Sequence, residues 1–214
     1  MSSQEKEIKR NATLAVQQSS PPIESKLVRR LLGGELALTA EITPPVSAGP
    51  NELLAKAEPL NGVVDAVNLT DGASARVHMS SVVSSGILQA EGIEPIVQFT
   101  CRDRNRIALI SDLLGVGAQG IHNLLILTGD DPTSGDQPQA KPVFDLQSYE
   151  LITIAHEMTI RGVIPSKSLK MTNEGVEPNT RQIDTPPRFF VGAADVPTDS
   201  VNEKWLAGLR KKKA

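Results

Sequence analysis

The chain reads as a parallel α/β protein. Aliphatic runs of strand length alternate with helical stretches to make about five βα units. The run 121–128 is almost wholly apolar, as a strand covered on both faces should be. Little chain separates one unit from the next, which is the signature of a parallel sheet with crossover helices.

Taken in order, residues 1–26 are polar, rich in Ser and Gln, and broken by Pro21-Pro22, and they predict a flexible N-terminal extension. Residues 27–32 place Val28, Leu31 and Leu32 at helical spacing before Gly33-Gly34, a short helix suited to plug the bottom of the sheet that succeeds it. A strand over 36–42 stops at Pro44-Pro45, and a helix comes next over 51–60. Strand 64–70 precedes helix 78–91, strand 95–100 precedes helix 104–114, and strand 121–128 precedes a helix over 146–161. Residues 162–187 hold several Pro, Lys, Asn and Thr and predict an irregular excursion. A strand over 188–194 and a basic helix over 200–213 complete the series.

Composition narrows the function. A chain of 214 residues makes one or at most two domains. With 39% hydrophobic and 22% charged residues it suits a globular core, and with 3% aromatics that core must be aliphatic. A net charge of -3 gives no electrostatic case for nucleic acid or an anionic membrane. Cys101 is the only cysteine, so no internal disulfide forms. No apolar run approaches the roughly 20 residues that cross a bilayer. The start lacks the apolar core of a secretory signal, and Glu5 and Glu7 argue against an organellar presequence. The cytoplasm is the expected compartment.

Polar residues gather where strands end. Glu41, Thr70-Asp71, Thr100 with Arg102-Asp103, and Thr128-Gly129-Asp130 all fall at or just past predicted strand termini. Each alone is explicable as turn chemistry. Together on one rim they predict a ligand site, because ligands of parallel α/β proteins gather at the carboxyl ends of strands. For Glu41, desolvation at the end of a buried strand would disfavour the charged form. The alternative is a glutamate capping an edge strand in solvent. Arg102, Asp103, Arg104 and Arg106 read equally as a phosphate site or as ion pairs at a helix start. His78, His122 and His156 have no spacing that makes a metal site with Cys101.

Six segments in series resemble one family. They are Ala40-Glu41-Ile42-Thr43-Pro44-Pro45, Asp65-Ala66-Val67-Asn68-Leu69-Thr70-Asp71-Gly72, Gln98-Phe99-Thr100-Cys101-Arg102-Asp103-Arg104-Asn105, Asn123-Leu124-Leu125-Ile126-Leu127-Thr128-Gly129-Asp130, Lys141-Pro142-Val143-Phe144-Asp145-Leu146, and Pro186-Pro187-Arg188-Phe189-Phe190-Val191-Gly192-Ala193-Ala194. The family is 5,10-methylenetetrahydrofolate reductase, flavin-dependent enzymes of the parallel (β/α)8 TIM-barrel type. The resemblance implies FAD as cofactor, methylenetetrahydrofolate as substrate, and NAD(P)H or a protein as electron donor. It implies that Glu41 is the acid that protonates the folate nitrogen. It puts Asp130 beside the flavin and the folate, where negative charge favours a cationic iminium. Thr70, Gln98, Thr128, Gly129, Phe144, Asp145, Ala194 and Arg210 match cofactor-contacting positions. Gln98 stands where some members have His, and Thr128 where many have Arg. A pterin-dependent methyltransferase barrel would share the substrate class but leaves the Glu41 and Thr128-Gly129-Asp130 segments unexplained.

A TIM barrel needs eight strands and typically about 250 residues. Residues 27–214 supply about five units and are therefore read as a partial barrel, with the resemblance placing strands six to eight beyond them. An open sheet leaves unpaired edges, so the expectation is a fragment, a truncated gene product, a homo-oligomer or a chain completed by another subunit. The reading that competes with the enzyme is a non-catalytic flavin- or folate-binding partner of the same fold.

Overall fold

The computed structural model describes residues 23–172, 175–194 and 203–213. Helix α1 (Lys26–Leu32) leads into strand β1 (Thr39–Ile42), followed by α2 (Asn51–Ala57), β2 (Ala66–Leu69), α3 (Ser81–Ala90), β3 (Pro95–Thr100), α4 (Arg106–Ala118), β4 (Asn123–Leu127) and α5 (Ser148–Ile160). Strands β5 (Val163–Thr172) and β6 (Gly175–Gln182) precede β7 (Phe190–Ala193) and α6 (Glu203–Lys213). Five strands form one sheet in the order β1-β2-β3-β4-β7, every pair parallel. Successive strands lie side by side with helices between them, so the sheet is a partial barrel of the TIM type.

Alternation along the strands sorts the two faces. Val97, Phe99, Leu124 and Ile126 are buried with Leu109 and Leu113 of α4 and Leu151 and Met158 of α5, forming the larger core cluster. Ile42, Val67 and Leu69 pack with Leu53 of α2 and Leu88 of α3 in a smaller one. The intervening residues, Glu41, Asn68, Gln98, Thr100 and Leu125, therefore belong to the other face. In register, Glu41 stands beside Asn68, and Gln98 beside Leu125.

The N-terminal extension predicted over 1–26 falls, up to residue 22, outside the described residues. Ser25 is buried and caps α1, its Oγ accepting from the Val28 N–H at 3.0 Å. Glu94, just before β3, clamps the same helix start by accepting from the N–H groups of Lys26 at 2.6 Å and Leu27 at 3.1 Å. Asn123 at the start of β4 also donates to Glu94, at 2.8 Å. The helix is thus seated under the amino ends of β3 and β4, the place expected for a plug.

Several predicted boundaries shift. The first strand begins at Thr39 rather than residue 36, and Leu36 is 89% exposed. Before it the chain is held by Asp65, whose Oδ2 accepts from the Leu38 N–H at 2.9 Å and whose own N–H donates to the Leu38 carbonyl at 2.7 Å. The helix predicted over 104–114 runs through Gly115 and Gly117 to Ala118. Gly117 is kept for space, because a Cβ there would lie 2.7 Å from Cβ of Pro187. The excursion predicted as irregular over 162–187 contains an antiparallel hairpin, with Val163 opposite Gln182 and Thr172 opposite Gly175. Its register is broken between Pro165 and Leu169, and such an interruption hides strand alternation from a sequence reading. Because it directly precedes the parallel strand β7, the hairpin lies toward the amino ends of the sheet.

Candidate functional site

A cleft of about 260 Å³ opens at the carboxyl ends of the central strands. Its walls include Asp71 and Gly72 past β2, Gln98 and Thr100 of β3, Arg102, and Thr128, Gly129 and Asp130 past β4. Ser148 at the start of α5, Ala194 past β7 and Lys212 of α6 close the far side.

Gln98 is the hinge of this arrangement. Its side chain is buried and its Nε2 donates to Glu41 Oε2 at 3.2 Å. Asn68 Nδ2 donates to the same oxygen at 2.8 Å. Glu41 does not line the cleft, but these two amides tie its carboxylate to a residue that does. Glu41 is exposed, because β1 is a sheet edge with a neighbour on one side among the described residues. The dry surroundings expected for it are therefore not found here, and the solvent-facing alternative describes its exposure.

Next to Gln98 stands an ionic cluster. One oxygen of Asp71, Oδ2, accepts from the Thr100 N–H at 2.8 Å and the Thr100 hydroxyl at 2.9 Å, and it pairs with Arg104. Arg104 also reaches Asp112 at 3.0 Å and lies 5.1 Å over the Phe99 ring. So Arg104 belongs to the ion-pair reading of the helix start. Arg102 is different: it is 5% exposed and faces the cleft. Its hydrogen bonds to the Asp103 carboxylate hold its already high pKa higher still, and it remains a cation.

Gly129 has φ +96, in the region that side chains avoid, and a Cβ would sit 3.0 Å from Cβ of Arg102 and 3.1 Å from Cβ of Thr100. Absence of a side chain lets the turn carrying Asp130 pass close to β3. Asp130 is exposed on the cleft wall. Thr128 is exposed as well, its hydroxyl 3.3 Å from Ser148 Oγ.

Of the matched positions, Gln98, Thr128, Gly129, Asp130 and Ala194 come together around the cleft. Thr70 lies outside that lining, buried at 4% exposure, and its Oγ1 has no hydrogen-bond partner. Phe144 and Asp145 also stand apart from it. Phe144, at φ +41, packs against the larger core, while Asp145 Oδ2 accepts the Arg106 N–H at 2.8 Å at the start of α4. Arg210 is exposed, and it is Lys212, two residues on, that lines the cleft and donates to the Ala194 carbonyl at 2.7 Å. Sequence reasoning passed over Asn68, whose Oδ1 is buried without a partner. The signal was available: Asn68 and Thr70 are polar residues two apart, alternating with the apolar Val67 and Leu69.

The fold and the cleft together define an α/β protein of the TIM-barrel type with a polar ligand site at the strand carboxyl ends. The family model of methylenetetrahydrofolate reductase matches residues 26–159, more than half of the chain, and the chain belongs to that family. Glu41, Thr70, Gln98, the Thr128–Asp130 turn, Phe144 and Asp145 fall inside the match, whereas Ala194 and Arg210 lie beyond it. Among curated proteins none matches the chain. Among the described residues no helix is long and apolar enough to cross a membrane.

Proposed function

We propose that the chain takes part in flavin-dependent reduction of 5,10-methylenetetrahydrofolate to 5-methyltetrahydrofolate, in the cytoplasm, with FAD as cofactor and NAD(P)H or a protein as electron donor. The observation that carries this is the Glu41–Gln98 link, which couples an acid on the first strand to the wall of a cleft whose other wall bears Asp130. The residues present fit a flavin. Thr70 Oγ1 and Asn68 Oδ1 are buried polar atoms in want of a partner, and Gly129 permits close approach. When bound, FAD would supply the hydride.

The protein's own groups do the rest. Glu41 Oε2 is engaged by the two amides, which orient the carboxyl so that its proton can pass to the folate nitrogen and open the ring to the iminium. The charge of Asp130 favours that cation. Gln98 hydrogen-bonds the ligand edge but, being an amide, holds no titrating proton. Thr128, Gly129 and Ala194 contact the cofactor from the cleft wall, with Thr70 assigned to the flavin and Phe144, Asp145 and Arg210 to its tail on the resemblance alone. Asp145 would have to share its carboxylate with the α4 start. The polybasic end of α6 already approaches the cleft through Lys212.

A second reading is a non-catalytic flavin- or folate-binding partner, favoured by the exposure of Glu41 on β1, which has a strand neighbour on one side only among the described residues. We propose further that the edges of β1 and β7 pair in the working protein, within a homo-oligomer or with a completing subunit. Flavin absorbance of the purified chain, followed by turnover of Glu41→Gln, separates the readings. The enzyme should keep NAD(P)H oxidation through FAD and lose folate reduction about a hundredfold on substitution. Folate reduction that survives Glu41→Gln unchanged would sink the assignment of the acid.

A further inference from the structure

Arg102 is a cation almost removed from solvent, at 5% exposure, yet it faces the cleft. Burial of a guanidinium is costly unless its N–H groups and its charge are met. Its Nε and Nη2 donate to Asp103, each at 2.8 Å, and its Nη1 donates to the Gly72 carbonyl at 3.2 Å. A guanidinium carries five N–H groups, so these bonds leave part of the fork unspent. The Asp103 side chain is 53% exposed, and Asp71 and Asp130 of the cleft wall add negative charge without a hydrogen bond to Arg102, so the charge is answered in part while two N–H groups stay unspent. Gly72 makes room for this placement: at φ +63, a Cβ there would lie 2.3 Å from Arg102 Nη2. Arg104 offers no such charge to the cleft, being held by Asp71 and Asp112. Lys212 adds a second cation on the far wall.

We infer that Arg102 is a ligand-binding residue of the cleft and takes the diphosphate of a dinucleotide cofactor. This rests on the flavin reading. A planar fork with N–H groups to spare matches phosphate oxygens better than it matches any neutral ring edge. Asp103 then acts as a competitor that holds the guanidinium in place until the ligand arrives. The one pair thus serves both roles that the sequence left open for the Arg102–Arg106 stretch.

Calorimetry on the full chain with inorganic diphosphate, ADP, riboflavin and FAD tests this. Arg102→Gln should weaken FAD, ADP and diphosphate by about tenfold or more and leave riboflavin unchanged. Asp103→Asn should tighten diphosphate severalfold, a change of sign that loss of structure does not produce, so the test survives if the first variant fails to fold. Unchanged FAD and diphosphate affinity in Arg102→Gln overturns the inference and leaves the flavin reading standing. An equal loss of riboflavin and FAD, or weaker diphosphate binding in Asp103→Asn, also overturns it. Diphosphate binding that depends on Arg102 in a chain that takes no flavin leaves the inference standing and removes the flavin. A wild-type chain that binds neither removes both.

Discussion

Removing the Asp71 carboxylate should loosen the rim more than any other single polar change there. Its Oδ2 takes both donors of Thr100 and the Arg104 guanidinium, and the Asp71 and Arg104 side chains are only 14% and 18% exposed. Hydrogen bonds to a charged group contribute about 1.5–3 kcal/mol each, but the three share one oxygen and are not additive. Arg104 also keeps Asp112 and the Phe99 ring after the change, which limits the loss. Breaking a largely buried pair costs about 3–5 kcal/mol, and that is the expectation for Asp71→Ala. Asp71→Asn keeps an acceptor for Thr100 and loses the charge, so about 1–2 kcal/mol is expected. Urea unfolding reads both: at an m-value of about 2 kcal/mol/M the alanine variant shifts the midpoint down by roughly 2 M. In a cycle with Arg104→Met the two changes should couple by about 1–3 kcal/mol. Additive costs, or an alanine variant as stable as the parent, would refute the reasoning.

Gly129→Ala places a methyl in the left-handed region and against Arg102 and Thr100, so it should cost about 2–4 kcal/mol in thermal or urea melts. Weaker flavin fluorescence quenching should accompany that cost. Burial pushes the Cys101 thiol up to about 11, which keeps it neutral near pH 8, so iodoacetamide should label it in urea and hardly at all in the native chain. Fast native labelling would contradict the buried placement. The Leu38 N–H, with Lys26 and Arg30 behind it, holds the Asp65 carboxyl below the usual carboxylate range. A depressed folded pKa means that its stabilisation is present above about pH 4 and is lost as pH falls through the lower folded value. Asp65→Asn should therefore be less stable than the parent at pH 6, and the gap should close toward pH 2.

The architecture was legible in the chain alone, because strand and helix periods are local properties. The strand predicted over 95–100 is found as Pro95–Thr100, and four other parallel strands fall where aliphatic runs were read. The rim was legible for a similar reason: polar residues that stop an apolar run must sit at strand ends. Which partner each rim residue takes was not legible. Gln98 reaches Glu41 across 57 positions, and Arg104 reaches Asp71 across 33, because strand register brings them together. The hairpin of β5 and β6 is a pairing broken by an irregularity that no local period reports. The exposure of Glu41 depends on what lies beside β1, and the placing of Lys212 rather than Arg210 at the cleft depends on how α6 docks. Those are decisions of packing between distant segments, made by the free energy of the whole fold rather than by any stretch of chain.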